Sequence, residues 1–174
     1  MRQELYDKAL SILMDGQRIL ESAGNSVSGY GIRIALIHAL QGLPEEAEKW
    51  LSEIDPDRIG EMDKLLLARA YIENSEPEKA DAILTEIREE LELPYLKAEL
   101  YAVMGQLALI QNDLDMARDR FEEALGLNPY HLNGRIEVIE LLRSMDDQAG
   151  ASELIEEAEN LEIPLGPDFT SALN

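Results

Sequence analysis

The chain has 174 residues, of which 45% are hydrophobic and 29% charged, and this composition predicts a globular protein with a substantial core. Its 36 acidic and 15 basic side chains give a formal charge of −21, so its surface repels nucleic-acid phosphates and anionic lipids. The absence of cysteine excludes disulfides, thiolate metal sites and cysteine nucleophiles. We therefore expect a protein partner with a basic or apolar face, no nucleic-acid partner and no membrane insertion.

The first element in chain order is a lone helix near residues 2–22, followed by a glycine-rich loop, and we expect residues 1–27 to cap the domain. Early acidic residues and the lack of an uninterrupted apolar core argue against a signal peptide. No apolar run approaches the roughly 18 residues that a membrane span needs. We expect a cytoplasmic protein, although a chain trimmed of a signal or anchor would look the same.

Four segments further along the chain align without gaps around one alanine. The alanines recur at nearly constant intervals along the chain: Ala47, Ala80, Ala117 and Ala151. A large apolar side chain follows each alanine four residues later: Leu51, Leu84, Phe121 and Ile155. This spacing keeps both residues on one helix face and predicts the second helix of a repeated helix pair.

On the first helix of each pair, the position twelve residues before the alanine is where the two helices are expected to cross. This position holds a small residue in three copies, Ala35, Ala68 and Gly105, and Ile139 in the fourth. A glycine in a helix interior costs about 1 kcal/mol relative to alanine. We interpret Gly105 as the place where the second helix crosses closely, because Phe121 needs that approach and its burial offsets the cost.

No alternating run of β-branched residues predicts a strand, so the expected fold class is all-α. The predicted helices after the first one span residues 29–41, 44–54, 61–73, 77–91, 95–111, 114–126, 131–145 and 148–160. Residues 162–174 contain two prolines and a glycine, which predicts an irregular tail.

The repeats resemble the tetratricopeptide repeat (TPR) family, whose signature places Leu-Gly and Tyr before Ala-x-x-x-Phe, Ala and Pro at a period of 34. The third copy carries most of this pattern: Tyr101, Met104, Gly105, Ala117, Phe121, Ala124 and Pro129. The resemblance implies an α-α superhelix of four helix pairs over 28–161, divided near 28–56, 61–94, 95–129 and 131–161. A helical repeat of another class, with a period nearer 40, is the alternative.

Nothing in the sequence predicts a catalytic, cofactor-binding or metal site, so we do not expect an enzyme. The segment GNSVSGYG lacks the lysine of a phosphate-binding loop. His38 and His131 are the only histidines and have no nearby partner at ligand spacing, so packing explains them better than a metal does. Asp113 and Asp115 are typical of a turn or a helix cap.

The resemblance implies that the first helix of each pair lines a groove that receives a peptide. Helical spacing selects the residues expected to point away from the packed side: Ile32, Arg33, Leu36, Leu40, Leu65, Leu66, Arg69, Glu73, Glu99, Ala102, Val103, Gln106, Ile110, Ile136, Glu137 and Glu140.

The groove residues change character along the chain. The first half is apolar with Arg33 and Arg69, and the second half is acidic at Glu137 and Glu140. We therefore expect a scaffold that binds an amphipathic segment of a partner protein, basic where it lies over the acidic half. Two alternatives stay open, namely a groove covered by the chain's own termini and a self-associating assembly scaffold.

Overall fold

The computed structural model describes residues 2–24 and 27–165, and within these ranges all regular structure is helical. This part of the chain holds nine α-helices and one short 3₁₀ helix: α1 Arg2–Ser22, α2 Ser28–Leu40, α3 Pro44–Leu51, 3₁₀ Pro56–Arg58, α4 Glu61–Glu73, α5 Pro77–Ile87, α6 Pro94–Ile110, α7 Leu114–Leu127, α8 Leu132–Ser144 and α9 Gln148–Asn160. The all-α prediction is confirmed for these described ranges.

The helices form two compact units, unit 1 (Met1–Glu90) and unit 2 (Leu91–Asn174). In unit 1, α2 packs on α1, α3 and α4, and α4 also packs on α5. In unit 2, α6 packs on α7, α7 on α8 and α8 on α9. Consecutive helices therefore pair, as expected when short turns join amphipathic helices.

The turn inside each helix pair repeats one backbone device. One residue has a left-handed φ between 60° and 71°: Gly42, Ser75, Asn112 and Asp146. Each of these residues precedes the aligned alanine of its own copy by the same interval. The next N–H bonds to a carbonyl five residues back, as in Glu76 N to Tyr71 O at 2.8 Å, which satisfies the end of the first helix. The repeat is thus present in the backbone as well as in the core.

The crossing of α6 and α7 explains the glycine inside α6. A Cβ added to Gly105 would lie 2.6 Å from Cε1 of Phe121, and Phe121 is fully buried. The interpretation of Gly105 as a close-approach residue is confirmed. In unit 1 the equivalent positions are Ala68 and Leu84, which are both buried, because the smaller leucine leaves room for a Cβ.

Two helices end three or more residues earlier than the sequence predicts, and the other predicted ends agree to within one residue. α3 ends at Leu51 rather than residue 54, because Asp55 precedes Pro56, is extended, and caps the 3₁₀ helix by accepting the N–H of Asp57 at 3.1 Å. α5 ends at Ile87 rather than residue 91. The residues that follow include two glutamates, which the negative end of a helix dipole disfavours.

The chain after α9 completes the core of unit 2. Leu165 is buried in the same cluster as Ile155 and Ala158, and Ile163 packs against that cluster. Residues 163–165 have no regular structure, and the rest of the predicted tail, 166–174, lies outside the described residues.

Helix α1 differs from the other helices because none of its described residues is buried. Leu5, Ile12 and Ile19 follow one another at intervals of seven residues and are 65%, 62% and 65% exposed. We call these three residues the α1 stripe. The capping role of α1 stays a prediction, and its outer surface carries an apolar line where a polar one would be expected.

Candidate functional site

The predicted groove residues of unit 1 separate into an accessible strip and a buried flank. Helices α2 and α4 pack on each other, and each carries accessible residues at positions i, i+3 and i+7. Arg33 and Leu40 are exposed and the others are half-buried. The unit 1 strip consists of Arg33, Leu36, Leu40, Leu66, Arg69 and Glu73.

Ile32 and Leu65 do not line an open surface. They are 0% and 1% exposed, which contradicts the expectation that they point away from the packed side. The helical-wheel reading treated each first helix as packed on one side only, whereas α2 is covered by three neighbours and α4 by two within unit 1. Coverage from several directions leaves a strip about one residue wide on each helix.

Two arginines give the unit 1 strip its charge. Arg33 Nη1 donates to the Gly29 carbonyl at 2.6 Å and lies 3.3 Å from Asp63 Oδ1, which joins α2 to α4. The pair is partly exposed, so solvent screens it. The Arg69 Nε is buried and has no hydrogen-bond partner in the described structure. Arg69 therefore holds a donor that no described group satisfies.

A cleft of about 600 Å³ lies at one end of the strip, inside unit 1. Leu13 from α1, Tyr30 and Arg33 from α2, Arg58 from the 3₁₀ helix and Asp63 from α4 line it. The guanidinium of Arg58 makes no hydrogen bond or ion pair with another described residue. The cleft thus extends the apolar and cationic character of the strip toward α1.

The predicted residues of unit 2 are also divided by burial. Ala102 and Val103 on α6 are buried, so the expectation that they line a groove is wrong, because α6 packs along α7 and is also hydrogen-bonded to α8. Ile110 and Glu140 are exposed and the remaining four residues are half-buried. The unit 2 face consists of Glu99, Gln106, Ile110, Ile136, Glu137 and Glu140.

Two hydrogen bonds cross the unit 2 face from α6 to the chain at α8. Gln106 Nε2 donates to Glu137 Oε1 at 3.0 Å, and His131 Nε2 lies 2.9 Å from Glu99 Oε2. Glu99 and Glu137 therefore hold the unit together, and Glu140 is the exposed acid of this face. The acidic character predicted for this half consequently rests mainly on Glu140.

Arg135 is the residue that the sequence analysis missed. Its side chain is 1% exposed, yet it reaches the Pro129 carbonyl at 2.9 Å, the Leu154 carbonyl at 3.1 Å and Glu157 Oε2 at 2.7 Å. A signal was present, because Arg135 shares a helix face with Ile139 and would be buried with it. The second part of that signal was Glu157, an acidic residue on the next helix that lies within reach of Arg135.

Two other residues considered in the sequence analysis take part in packing and helix capping. His38 is half-buried, and its Nδ1 has no hydrogen-bond partner among the described residues. Asp113 caps α7 by accepting the N–H of Met116 at 3.1 Å. Across residues 2–24 and 27–165, no group of three or more histidine, aspartate or glutamate side chains could hold a metal ion.

A search for membrane-crossing helices among the same residues finds none that is both long enough and apolar enough.

The solved chains to which this chain is similar in structure include two that are described as MamA. One, described as "Crystal structure of MamA", has a TM-score of 0.54 and 16% identity over 92% of this chain and 91% of that chain. The other, "MamA MSR-1 C2", has a TM-score of 0.55 and 18% identity over 92% of this chain and 97% of that chain. At such identities the likeness shows the fold alone, and it defines the chain as an all-α helical-repeat protein.

No protein-family model and no curated protein sequence matches the chain.

Proposed function

We propose that this chain is a non-enzymatic scaffold of the TPR type that binds a segment of a partner protein along the first helices of its pairs. The observation that carries the proposal is the unit 1 strip, where Leu36, Leu40 and Leu66 stay partly exposed between Arg33 and Arg69. A helical-repeat fold presents such strips on consecutive helices, and extended or helical segments bind to surfaces of this kind.

The strip defines the chemistry of the partner segment. Its leucines offer apolar surface, and burying such surface contributes about 25 cal/mol per Å². Arg69 is half-buried, and its positive charge would favour a carbonyl or carboxylate of the segment. In unit 2 the exposed carboxylate of Glu140 favours a basic residue on whatever segment binds there. We therefore propose an amphipathic partner segment with basic residues for the unit 2 face.

Affinity capture from the native lysate tests the strip. Wild type is compared with the double variant Leu40→Glu/Leu66→Glu, in which two charges replace accessible apolar side chains. Leu43→Glu is the matched control, because Leu43 has a similar exposure to Leu40 but lies in the α2–α3 turn. Leu65 is unsuitable for such a test because it is buried, and a charge there would unfold the helix pair.

The proposal expects one protein to be recovered by wild type and by Leu43→Glu but not by the double variant. Equal recovery by all three baits would contradict the role of the strip. Far-ultraviolet circular dichroism of each bait establishes that loss of capture is not loss of fold.

The proposed preference of the unit 2 face for basic residues is tested with Glu140→Lys. Glu137→Lys is less suitable, because it would also remove the hydrogen bond that Gln106 donates to Glu137. Glu153→Lys on α9 is the control of equal charge change at an exposed position. Capture should weaken with Glu140→Lys and with added salt, because interactions between exposed charges are screened. If capture were insensitive to both Glu140→Lys and added salt, the proposal that the partner segment carries basic residues would be wrong.

Self-association is the second candidate function, and the α1 stripe favours it. An exposed line of three large aliphatic side chains on a helix without buried residues is typical of an interaction surface. Light scattering over a wide concentration range should then show mass increasing with concentration for wild type and not for Ile12→Glu. A strict monomer in both cases would exclude this candidate.

A further inference from the structure

His131 lies at the start of α8 and uses both nitrogens of its ring. It is 9% exposed, and its Nδ1 accepts the N–H of Gly134 at 3.0 Å as the N-terminal cap of the helix. Its Nε2 lies 2.9 Å from Glu99 Oε2 on α6. A Cβ on Gly134 would approach Nδ1 to 2.9 Å, so a glycine is required for the ring to cap here. One buried side chain therefore both caps α8 and joins it to α6.

These two bonds require an uncharged ring. An imidazole nitrogen can accept a hydrogen bond only while it carries a lone pair, so Nδ1 must be unprotonated. The single ring proton is then on Nε2 and is donated to the carboxylate of Glu99. A protonated imidazole has N–H groups on both nitrogens. Its Nδ1–H would face the N–H of Gly134, donor against donor, in a buried position.

The charged groups around the ring of His131 have opposite effects on a positive charge there. From α6, the carboxylate of Glu99 favours a cationic ring, because a neutral bridge would become an ion pair. From α8, the guanidinium of Arg135 holds the Pro129 carbonyl two residues before His131 and disfavours a second positive charge. From α9, Glu157 pairs with Arg135 and reduces that effect. On protonation the bond to Glu99 is strengthened and the cap on Gly134 is the bond that is lost.

We propose that His131 is a pH-dependent latch at the start of α8: the neutral ring caps α8 and bridges it to Glu99, and the protonated ring keeps Glu99 but releases the Gly134 N–H. Imidazoles ordinarily take up a proton near pH 6.5. The first turn of α8 is capped while the ring of His131 is neutral and uncapped once the ring is protonated. This turn precedes Ile136 and Glu137, so the latch alters the part of unit 2 that carries the unit 2 face.

The test is nuclear magnetic resonance of the isolated protein between pH 5 and 8, and it needs no partner, so it is independent of the proposed function. The latch predicts that the Gly134 amide resonance shifts with the same midpoint as the His131 ring. In Glu99→Gln the ring and the Gly134 amide should still respond together, since the cap on Gly134 is independent of the bond to Glu99. A Gly134 amide that stays constant while the ring titrates would overturn the proposal.

A second variant separates the latch from a merely structural histidine. Asparagine caps helices well and does not titrate, so His131→Asn should keep α8 and lose the pH response of Gly134. His38→Gln is the control, because it removes the other histidine and should leave the response of Gly134 unchanged. Persistence of that response in His131→Asn would assign it to another group and contradict the latch. The wild-type comparison of ring and amide stands even if His131→Asn does not fold.

Discussion

Lys64 in unit 1 and Arg135 in unit 2 occupy the same repeat position, four residues before the crossing residue of their first helix. Each pairs with a glutamate at the equivalent position of the second helix, Lys64 with Glu86 at 2.6 Å and Arg135 with Glu157 at 2.7 Å. Lys64 makes this one bond and is 13% exposed, whereas Arg135 is 1% exposed and also holds two backbone carbonyls.

The two units use their polar groups differently. In unit 2 the guanidinium of Arg135, the ring of His131 and the amide of Gln106 are all bonded to neighbouring elements of the same unit. In unit 1 the Arg33–Asp63 pair is partly exposed, and Leu36, Leu40 and Leu66 of the unit 1 strip are accessible. The repeat thus supports internal ties in unit 2 and leaves polar and apolar groups at the surface of unit 1, where we place the partner segment.

Arg135→Ala should have the largest effect on stability. It removes a buried cation and leaves the carbonyls of Pro129 and Leu154 without their donor, which costs about 3 kcal/mol. Urea denaturation measures the change in free energy of unfolding. The free energy of unfolding of Arg135→Lys should lie between those of wild type and Arg135→Ala, because an ammonium keeps the charge but cannot reach three acceptors at once. A loss below about 1 kcal/mol for Arg135→Ala would show that water replaces these bonds.

Gly105→Ala should destabilise the protein by about 1 kcal/mol, although alanine is the better helix former, because overpacking against Phe121 exceeds the gain in propensity. In unit 1 the equivalent crossing accommodates an alanine, because Ala68 is matched there with Leu84, which is smaller than phenylalanine. Gly105→Ala in a Phe121→Leu background should therefore be less harmful than in wild type. Additive effects in this double-mutant cycle would mean that the two positions are not coupled through the crossing.

Lys64→Met should cost less than about 1 kcal/mol, because one ion pair near the surface contributes little and methionine retains the apolar stem. The hydrogen bond to Glu86 raises the pKa of Lys64 above its usual value, and partial burial opposes this shift. A raised pKa stabilises the fold below the ordinary lysine value, and this contribution is lost as the pH rises through the folded value. The difference between wild type and Lys64→Met should therefore be present at pH 7 and vanish in strong alkali.

Arg33→Gln should have the smallest effect on stability, within about 0.5 kcal/mol, because its partner Asp63 is accessible to water. Its effect on capture should be larger than its effect on stability if the unit 1 strip is the binding surface. Thermal denaturation and capture are measured on the same preparation. A large loss of stability without loss of capture would assign Arg33 to the fold and not to binding.

The sequence predicted the features that repeat and missed those that depend on neighbours. The alanine spacing and the small residue at Gly105 are local consequences of two helices crossing, and both are confirmed. Apolar periodicity predicts ends of α3 and α5 that lie beyond the observed ones, because it does not reflect the proline after Asp55 or the glutamates after Ile87. Such ends depend on propensity and helix-dipole contributions of a few tenths of a kcal/mol per residue.

The candidate site was predicted only in part for a physical reason. Helical spacing identifies the side of a helix but does not show how many neighbours cover it, so Ile32, Leu65 and Val103 were assigned to a surface that packing closes. Arg135 was missed because an isolated basic residue in an apolar pattern usually lies outside the core. The available signal was a glutamate at the matching position of the next helix, which Lys64 has as well.

Hydrogen exchange of the backbone amides, with and without the captured segment, tests the proposal that this segment lies on the first helices of unit 1. A segment bound there should increase the protection of amides in α2 and α4, at the residues of the unit 1 strip. Added protection confined to α3, to α5 or to α1 would contradict it and would move the binding surface to the second helices or to the α1 stripe.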